Sequence, residues 1–271
     1  MKLVVFAKKF KEKKLEELVA LAHENRFDGY DLCVRDEYPV SPANAPTTLP
    51  EAVKLMRGEG LDIPMITGAG DLRFPDHGYV RPLLKAMGNS AVRLLKIGYF
   101  SFNPETQDYW EEIEKAKQAL GQWERLAREY QVKICCHTHS RRNLGMNGAA
   151  LAHLINEFDP DRIGAYLDAG HVVNEGAEFA VELAIVKKHL SIIAVKDVML
   201  TRVETNGHGT KAPHWVQAGF GMVDWTAVAK DLKRTGFNGP VSIHCEFQDA
   251  EADFMSAFRR EVQFFREIFA P

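Results

Sequence analysis

The stretch "VKICCHTHS" at residues 132–140 begins as an apolar strand and ends in polar residues. A short run of Val, Ile and Cys is typical of a strand that is covered on both faces. His137 and His139 follow at its end, and side chains two residues apart on a strand share a face. We therefore expect this strand to present two imidazoles at its carboxyl end, where they could bind a metal ion or transfer protons.

The same kind of apolar run recurs along the chain and alternates with amphipathic segments of helical periodicity. Eight β-α units in 271 residues fit a (β/α)8 TIM barrel of ordinary size, and we favour this α/β fold over an open doubly wound sheet. No linker or low-complexity segment divides the chain, so residues 1–271 are predicted to form one domain. The predicted strands are 2–7, 29–34, 62–67, 92–100, 132–139, 163–168, 191–197 and 240–247.

Charge and hydropathy narrow the range of partners. The formal net charge is −3, which gives no electrostatic reason to expect a nucleic-acid partner. The basic run at 8–14 is interleaved with Glu and is predicted to be a solvated helix start. The sequence has no signal peptide and no apolar stretch long enough to span a bilayer. We therefore expect a cytoplasmic protein with no membrane partner.

Ionisable residues gather at the carboxyl ends of the predicted strands, which is where the active sites of TIM barrels lie. Burying so many such groups costs several kcal/mol each unless they are paired or ligated, so the pattern favours a functional site over a structural one. Arg141, just beyond the fifth strand, is expected at the rim, where it could meet an anionic substrate. The strand-end residues are Asp31, Arg35, Lys96, His137, His139, Asp168, His171, Lys196, Asp197, His244 and Glu246.

Three features of the sequence can each be interpreted in two ways. Imidazole together with carboxylate suits a divalent Mn, Zn, Co or Fe ion, but it also suits a metal-free acid/base site. Lys196 and Asp197 could orient a substrate or form a structural salt bridge. Gly219 and Gly221, before a helix start at Asp224, could present backbone N–H groups to a phosphate or form a plain turn. The long polar stretch 201–215 is predicted to be a loop that acts as a lid.

Several motifs together resemble the xylose-isomerase-like TIM-barrel superfamily, broadly described as sugar phosphate isomerases and epimerases. They are "GYDLCV" (29–34), "YLDAGH" (166–171), "VKD" (195–197) and "AGFGMVDW" (218–225). The superfamily includes ketose 3-epimerases, hydroxypyruvate isomerase, inosose dehydratase and the endonuclease IV branch. The resemblance covers the whole chain and implies a TIM barrel that acts on small carbohydrates.

The resemblance also implies a ligand set, from which this sequence departs. Metal-dependent members hold one divalent ion with a glutamate on strand five, an aspartate on strand six, a histidine on strand seven and a glutamate on strand eight. Asp168 matches the aspartate, and His171 matches a histidine that contacts substrate. His137 stands at the first glutamate position, Ala194 at the histidine position, and His244 at the second glutamate position, with Glu246 two residues further on. A rebuilt site would use His137, Asp168, His244 and Glu246.

These observations lead to a first hypothesis of an isomerase or epimerase of a small polyhydroxy carbonyl compound. Glu246 or His137 would remove the proton alpha to the carbonyl, and a divalent metal or Lys196 would stabilise the enediolate. The same site could serve a keto-sugar dehydratase or lyase. A non-catalytic carbohydrate-binding barrel is a further alternative, and a homo-oligomer is possible. The predicted substrate-binding residues are His171, His139, Asp31, Arg35, Lys96, Asp197 and Arg141.

Overall fold

The computed structural model describes residues 1–248 and 253–270 of the chain. Its main element is a closed barrel of eight parallel strands, so the predicted (β/α)8 TIM-barrel fold is confirmed. The barrel strands are β1 (Lys2–Phe6), β2 (Gly29–Cys33), β3 (Asp62–Thr67), β4 (Leu94–Lys96), β5 (Lys133–His137), β6 (Ile163–Asp168), β7 (Leu190–Val195) and β10 (Pro240–Ile243). Each lies within one residue of a predicted strand or inside it.

Helices follow the barrel strands in the alternation that the sequence predicts. Asp224 caps the start of α8 by accepting a hydrogen bond from the backbone N–H of Ala227 at 2.9 Å. None of the described helices is long and apolar enough to cross a membrane. The helices are α1 (Leu15–Asn25), α2 (Ala45–Gly58), α3 (Val80–Asn89), α4 (Tyr109–Tyr130), α5 (Gly148–Ile155), α6 (Ala169–Asn174), α7 (Phe179–Val186), α8 (Trp225–Arg234) and α9 (Phe254–Ile268).

The barrel closes because β1 pairs in parallel with both β2 and β10. The order around the ring is β1, β10, β7, β6, β5, β4, β3, β2. In this ring β4 stands four strands from β10 in either direction, so the two strands face each other across the barrel. Residues that follow these two strands therefore lie on opposite walls of the barrel mouth.

Two separate apolar cores follow from the alternation of side chains along the strands. The larger core lies between the strands and the helices and contains most of the buried apolar residues. The smaller core fills the barrel interior, and Ala194 belongs to it. Lys196, two residues after Ala194, continues the inward-facing row. The other interior residues are Met65, Cys135, Tyr166 and Ile192, with Leu94 packed against them.

The stretch after β7 is a β-hairpin, which corrects the prediction of an irregular loop. Strands β8 (Asp197–Thr205) and β9 (His208–Val216) pair in antiparallel register from Asp197 opposite Val216 to Thr205 opposite His208. Asn206 and Gly207 form the two-residue turn, both with positive φ (52° and 78°). Asn-Gly is the favoured sequence for such a turn because its twist matches that of the strands, so the signal was present in the sequence.

Candidate active site

A small cavity of about 160 Å³ lies at the carboxyl ends of the barrel strands. A wider pocket of about 670 Å³ shares Lys8, His139, Lys196 and Glu246 with it and includes Arg141, His171 and Trp215. Most of the strand-end residues predicted from the sequence therefore meet in one place. The inner cavity is lined by Phe6, Lys8, Arg35, Thr67, Gly70, Lys96, Tyr99, His137, His139, Tyr166, Lys196, His244 and Glu246.

The charge at the centre of the site is carried by Lys196. Its Nζ lies 2.9 Å from Oε2 of Glu246 and 3.4 Å from Oδ2 of Asp168. Burial alone would lower the pKa of Lys196, but the two carboxylates raise it above its ordinary value. Nζ also lies 4.5 Å from the ring centroid of Trp215, a cation-π distance. Lys196 is therefore a buried, permanently charged ammonium group at the junction of the two pockets.

Glu246 has a cation at each carboxylate oxygen. Oε2 accepts from Lys196, and Oε1 accepts from the ammonium of Lys8. Burial opposes ionisation of Glu246, but Lys196 and His244 hold its pKa well below the usual range. The carboxylate is about one-fifth exposed, so it remains accessible from the pocket as an ionised group.

Asp168, His137 and Tyr99 form a hydrogen-bonded chain. Nε2 of His137 lies 3.2 Å from Oδ2 of Asp168, and Nδ1 lies 3.0 Å from the Tyr99 hydroxyl. Burial opposes ionisation of Asp168, but the charge of Lys196 and the hydrogen bond from His137 hold its pKa well below the usual range, so this carboxylate only accepts hydrogen bonds. Nε2 of His137 therefore carries the proton, and the Tyr99 hydroxyl donates to Nδ1. Burial lowers the pKa of His137 to about 3, so its ring is neutral near pH 7.

The rings of His171 and His139 lie against each other at the entrance, with centroids 4.0 Å apart and planes tilted by 41°. The backbone N–H of Ser140 donates to Nδ1 of His171 at 3.3 Å, so the ring proton is on Nε2. Among the described residues this Nε2 has no hydrogen-bond partner, although it is buried. Burial and the nearby Lys196 lower the pKa of His171. His171 is thus a neutral ring with a free N–H donor beside the pocket that it lines.

Asp31, Tyr166 and His244 form a buried network deeper in the barrel. The Tyr166 hydroxyl lies 2.8 Å from Nε2 of His244 and 3.2 Å from Oδ2 of Asp31. Asp31 also accepts hydrogen bonds from Thr67 at 2.6 Å and from Ser242 at 2.9 Å. Both oxygens of Asp31 are bonded inside the fold and the residue has no exposed surface, so these bonds give it a supporting role, and substrate binding by Asp31 stays a prediction.

The geometry does not favour the predicted metal set of His137, Asp168, His244 and Glu246. The space between Asp168 and Glu246 is taken by the Lys196 ammonium. His244 directs Nε2 to Tyr166 and stacks on Phe6 with ring centroids 4.4 Å apart. Within residues 1–248 and 253–270, no three His, Cys, Asp or Glu side chains converge as metal ligands. The four residues therefore do not form a metal site in this arrangement.

Asp197 and Arg141 occupy very different positions. Asp197 is fully buried, and its carboxylate accepts hydrogen bonds from the Trp225 indole at 3.0 Å and from several backbone N–H groups. Those backbone donors include Gly219 and Gly221, so the two glycines form a turn around Asp197 and their N–H groups are used within the fold. These bonds give Asp197 a structural role, one of the two alternatives that the sequence left open, and substrate binding by Asp197 stays a prediction. Arg141 is exposed at the rim of the wider pocket.

The inner-cavity residues that sequence reasoning missed include Tyr99 and Lys8, which both contact site residues. Tyr99 lay inside the predicted strand 92–100, but β4 ends at Lys96 and leaves Tyr99 at the mouth. Lys8 belongs to the basic run that was interpreted as solvated, whereas its ammonium bonds to Glu246. Lys8 follows the carboxyl end of β1, and this position could have indicated that it belongs to the site.

A closed (β/α)8 barrel with ionisable groups at the carboxyl ends of its strands defines the class of TIM-barrel proteins that bind ligands at that face. Within this class, the model of the xylose isomerase-like TIM barrel family matches residues 19–268. The chain belongs to this family, which confirms the resemblance drawn from its motifs.

Individual relatives are more distant. Inosose dehydratase of Lacticaseibacillus casei is 26% identical over 174 residues, which is 61% of this chain and 57% of that protein. The alignment therefore spans little more than half the length of that relative. Among solved structures, the apo form of 3-keto-D-glucoside 4-epimerase, YcjR, from E. coli has a TM-score of 0.75 at 16% identity, covering 98% of this chain and 99% of that chain. The IOLI protein with a bound zinc atom has a TM-score of 0.75 at 17% identity, covering 100% of this chain and 98% of that chain. These structural likenesses establish the fold.

Proposed function

We propose that this protein is an isomerase or epimerase of a small polyhydroxy carbonyl compound and acts by alpha-proton transfer. The observation that carries the proposal is the inner cavity, which is lined by both an ionised carboxylate and a phenol hydroxyl. Glu246 follows β10 and Tyr99 follows β4, and these two strands face each other in the ring. A substrate carbon between them would meet a proton acceptor on one face and a proton donor on the other.

Glu246 and Tyr99 differ in protonation state, and this difference assigns their roles. Glu246 is ionised and can only take a proton, whereas Tyr99 carries a hydroxyl proton that is bonded to Nδ1 of His137 at rest and would turn to the substrate carbon during the reaction. After Glu246 removes the alpha proton, the electron pair moves to the carbonyl oxygen. Return of a proton from Tyr99 inverts the carbon and gives an epimer, which leaves Glu246 protonated and Tyr99 as a phenolate until exchange with solvent restores both. Return of the proton from Glu246 to the neighbouring carbon gives an isomer.

Lys196 supplies the positive charge for the enediolate. A preorganised charge in a site that excludes water stabilises developing negative charge strongly, because no solvent has to reorganise. His137 acts through Tyr99, whose hydroxyl it holds in place, and the free N–H of His171 would donate to a substrate hydroxyl. No step of this scheme passes through a metal, because Lys196 supplies the positive charge.

Elimination of water is the second candidate, and the match to an inosose dehydratase favours it. It begins with the same removal of an alpha proton. It then needs a proton for the departing hydroxyl group, and the Tyr99 hydroxyl would supply it. The two reactions therefore share their first step, and elimination additionally requires a hydroxyl group on the carbon next to the one that loses its proton.

Solvent exchange tests the proposal. The protein is incubated with a panel of ketoses and keto-sugar acids in D2O, and loss of the alpha C–H signal is followed by NMR. Exchange with retention of mass apart from deuterium indicates an isomerase or epimerase, and loss of one water in the mass spectrum indicates a dehydratase. We expect Glu246→Gln to reduce exchange by about 100-fold or more.

The matched control is Glu114→Gln, which removes a carboxylate from the exposed face of α4. It should exchange at the wild-type rate. If a ligand of the panel binds and neither its protons exchange nor water is lost, the proposal fails for that ligand class. A carbohydrate-binding barrel without catalysis would then be the better description.

A further inference from the structure

Two cations at the inner cavity lack the counter-ion that their burial calls for. Lys96, the last residue of β4, is 2% exposed, and its Nζ lies 3.7 Å from the ring centroid of Tyr99. Arg35, beyond β2, lines the same cavity, donates from Nε to the carbonyl of Gly68 at 3.0 Å, and lies over the ring of Phe6. Within the described part of the chain, neither side chain has a carboxylate within salt-bridge distance.

The acidic groups nearby are already engaged. The carboxylate of Asp31 accepts hydrogen bonds from the hydroxyls of Thr67, Tyr166 and Ser242. Glu246 is bonded to Lys196 and Lys8 on the other side of the cavity. Burying an unpaired charge is costly, and two like charges beside each other add repulsion to that cost. Consistent with this, burial and the charge of Arg35 lower the pKa of Lys96 to about 7.

We propose that Lys96 and Arg35 form an anion subsite that binds a carboxylate group of the substrate. The protein would then act on a sugar acid that carries a carbonyl group, with its carboxylate at the inner end and its hydroxyl chain in the wider pocket. This inference deepens the proposed function and rests on it, because it names the class of substrate for the same cavity.

Size and shape favour a carboxylate over a phosphate. The inner cavity of about 160 Å³ must also hold the reacting carbon between Glu246 and Tyr99, so the anionic group has to be compact. A carboxylate is planar and can meet the fork of a guanidinium in two parallel hydrogen bonds. The wider pocket of about 670 Å³ is lined by His139, His171 and Trp215, which suit hydroxyl groups and a carbon chain.

The test compares compounds that differ only at one carbon, by isothermal titration calorimetry on the full chain. The pairs are 2-keto-D-gluconate against D-fructose and, without stereocentres, hydroxypyruvate against dihydroxyacetone. In each pair the carboxylate replaces a CH2OH group. We expect the carboxylate to bind about tenfold or more tightly than its neutral partner, the scale of a buried charge-assisted hydrogen bond. Binding needs no turnover, so this test can fail or succeed independently of the exchange experiment.

Variants test whether Lys96 and Arg35 are the residues that bind the carboxylate. Lys96→Met and Arg35→Gln are each expected to remove most of the preference for the carboxylate, while Lys54→Met, which removes a cation from exposed α2, should keep it. Circular dichroism verifies that each variant is folded, and Arg35→Gln at the half-buried position decides the matter if Lys96→Met does not fold. Equal binding of acid and neutral compound, no binding of either acid at millimolar concentration, or a preference that survives in the folded variants would overturn the inference. Tighter binding of dihydroxyacetone phosphate than of hydroxypyruvate would overturn the assignment to a carboxylate.

Discussion

Nζ of Lys196 lies 2.9 Å from Oε2 of Glu246, so the charge that stabilises the proposed enediolate and the base that generates it form one ion pair. The same ammonium lies 3.4 Å from Asp168, the residue that matches the family's strand-six ligand. A cation of the protein itself thus occupies the centre of the site. In the structure, Ala194 of the interior core stands two residues before it on the same inward row.

Replacing Lys196 with Met is expected to reduce kcat for alpha-proton exchange by about 100-fold or more, because the enediolate loses its stabilising charge. Lys196→Arg should retain part of the rate, since it keeps the charge but changes the geometry. Steady-state kinetics on a substrate found in the exchange panel would measure both. A Lys196→Met variant with unchanged kcat would show that the charge has no part in catalysis.

Treatment with EDTA is expected to leave alpha-proton exchange unchanged, because Lys196 fills the space between Asp168 and Glu246 where a divalent ion would have to bind. Metal analysis of the purified protein should accordingly find no stoichiometric Mn, Zn, Co or Fe. One equivalent of such a metal, together with activity that EDTA removes and the metal restores, would contradict this arrangement of the site.

Removing the hydroxyl in Tyr99→Phe is expected to slow epimerisation by about 100-fold, whereas removal of the alpha proton by Glu246 should continue. The signature is therefore exchange with solvent that outpaces formation of the epimer. Tyr109→Phe, at the first residue of α4, serves as the matched control and should behave as wild type. If both variants epimerise at the wild-type rate, the proton donor lies elsewhere.

Lys96 should make the stability of the protein depend on pH. Its pKa in the folded state is about 7, against 10.5 in an unfolded chain, so between these values the unfolded state binds more protons and stability rises with pH. Below about pH 7 both states are protonated, and the full cost of the buried charge is present. Lys96→Met should therefore raise Tm by about 3 °C or more near pH 6, and by less near pH 9. Thermal unfolding at both pH values, with Lys54→Met as the control, measures the difference. An equal Tm gain at both would contradict the depressed pKa.

Asp197→Asn is expected to lower the free energy of unfolding by about 2–4 kcal/mol, because it removes the charge that gathers the Trp225 indole and the backbone of the 217–225 turn. Denaturant unfolding with Asp161→Asn as the exposed control measures this loss. If Asp197→Asn is as stable as wild type but binds substrate poorly, Asp197 belongs to the binding site after all.

The barrel could be predicted because its strands are buried on both faces, so they form nearly continuous apolar runs that end in polar residues. The gathering of His137, Lys196 and Glu246 at one cavity follows from the same logic, since parallel strands place their carboxyl ends together. Which groups pair inside the cavity depends on side-chain reach across the barrel. The ammonium of Lys196 between two carboxylates, and the bond from Tyr99 to His137, had no local signal in the sequence.

The hairpin of β8 and β9 was missed for another reason. Its Asn206-Gly207 turn is a strong local signal, but polar residues on either side of it suggested a loop. The Asn-Gly preference for hairpin turns therefore predicts this element better than the polarity of the segment does. For Asp197, in contrast, only the folded backbone of residues 217–225 shows why a buried carboxylate stands there.

The same hairpin offers a place to modify the protein. Its root is fixed by Asp197, and Trp215 in β9 lies over Lys196, while residues 201–210 around the turn are exposed and line neither of the two pockets of the site. An affinity peptide or a fluorescent label inserted between Asn206 and Gly207 would therefore leave the cavity intact. It would also sit on the one element that carries Trp215 to the pocket, where it could report how that element responds to ligands.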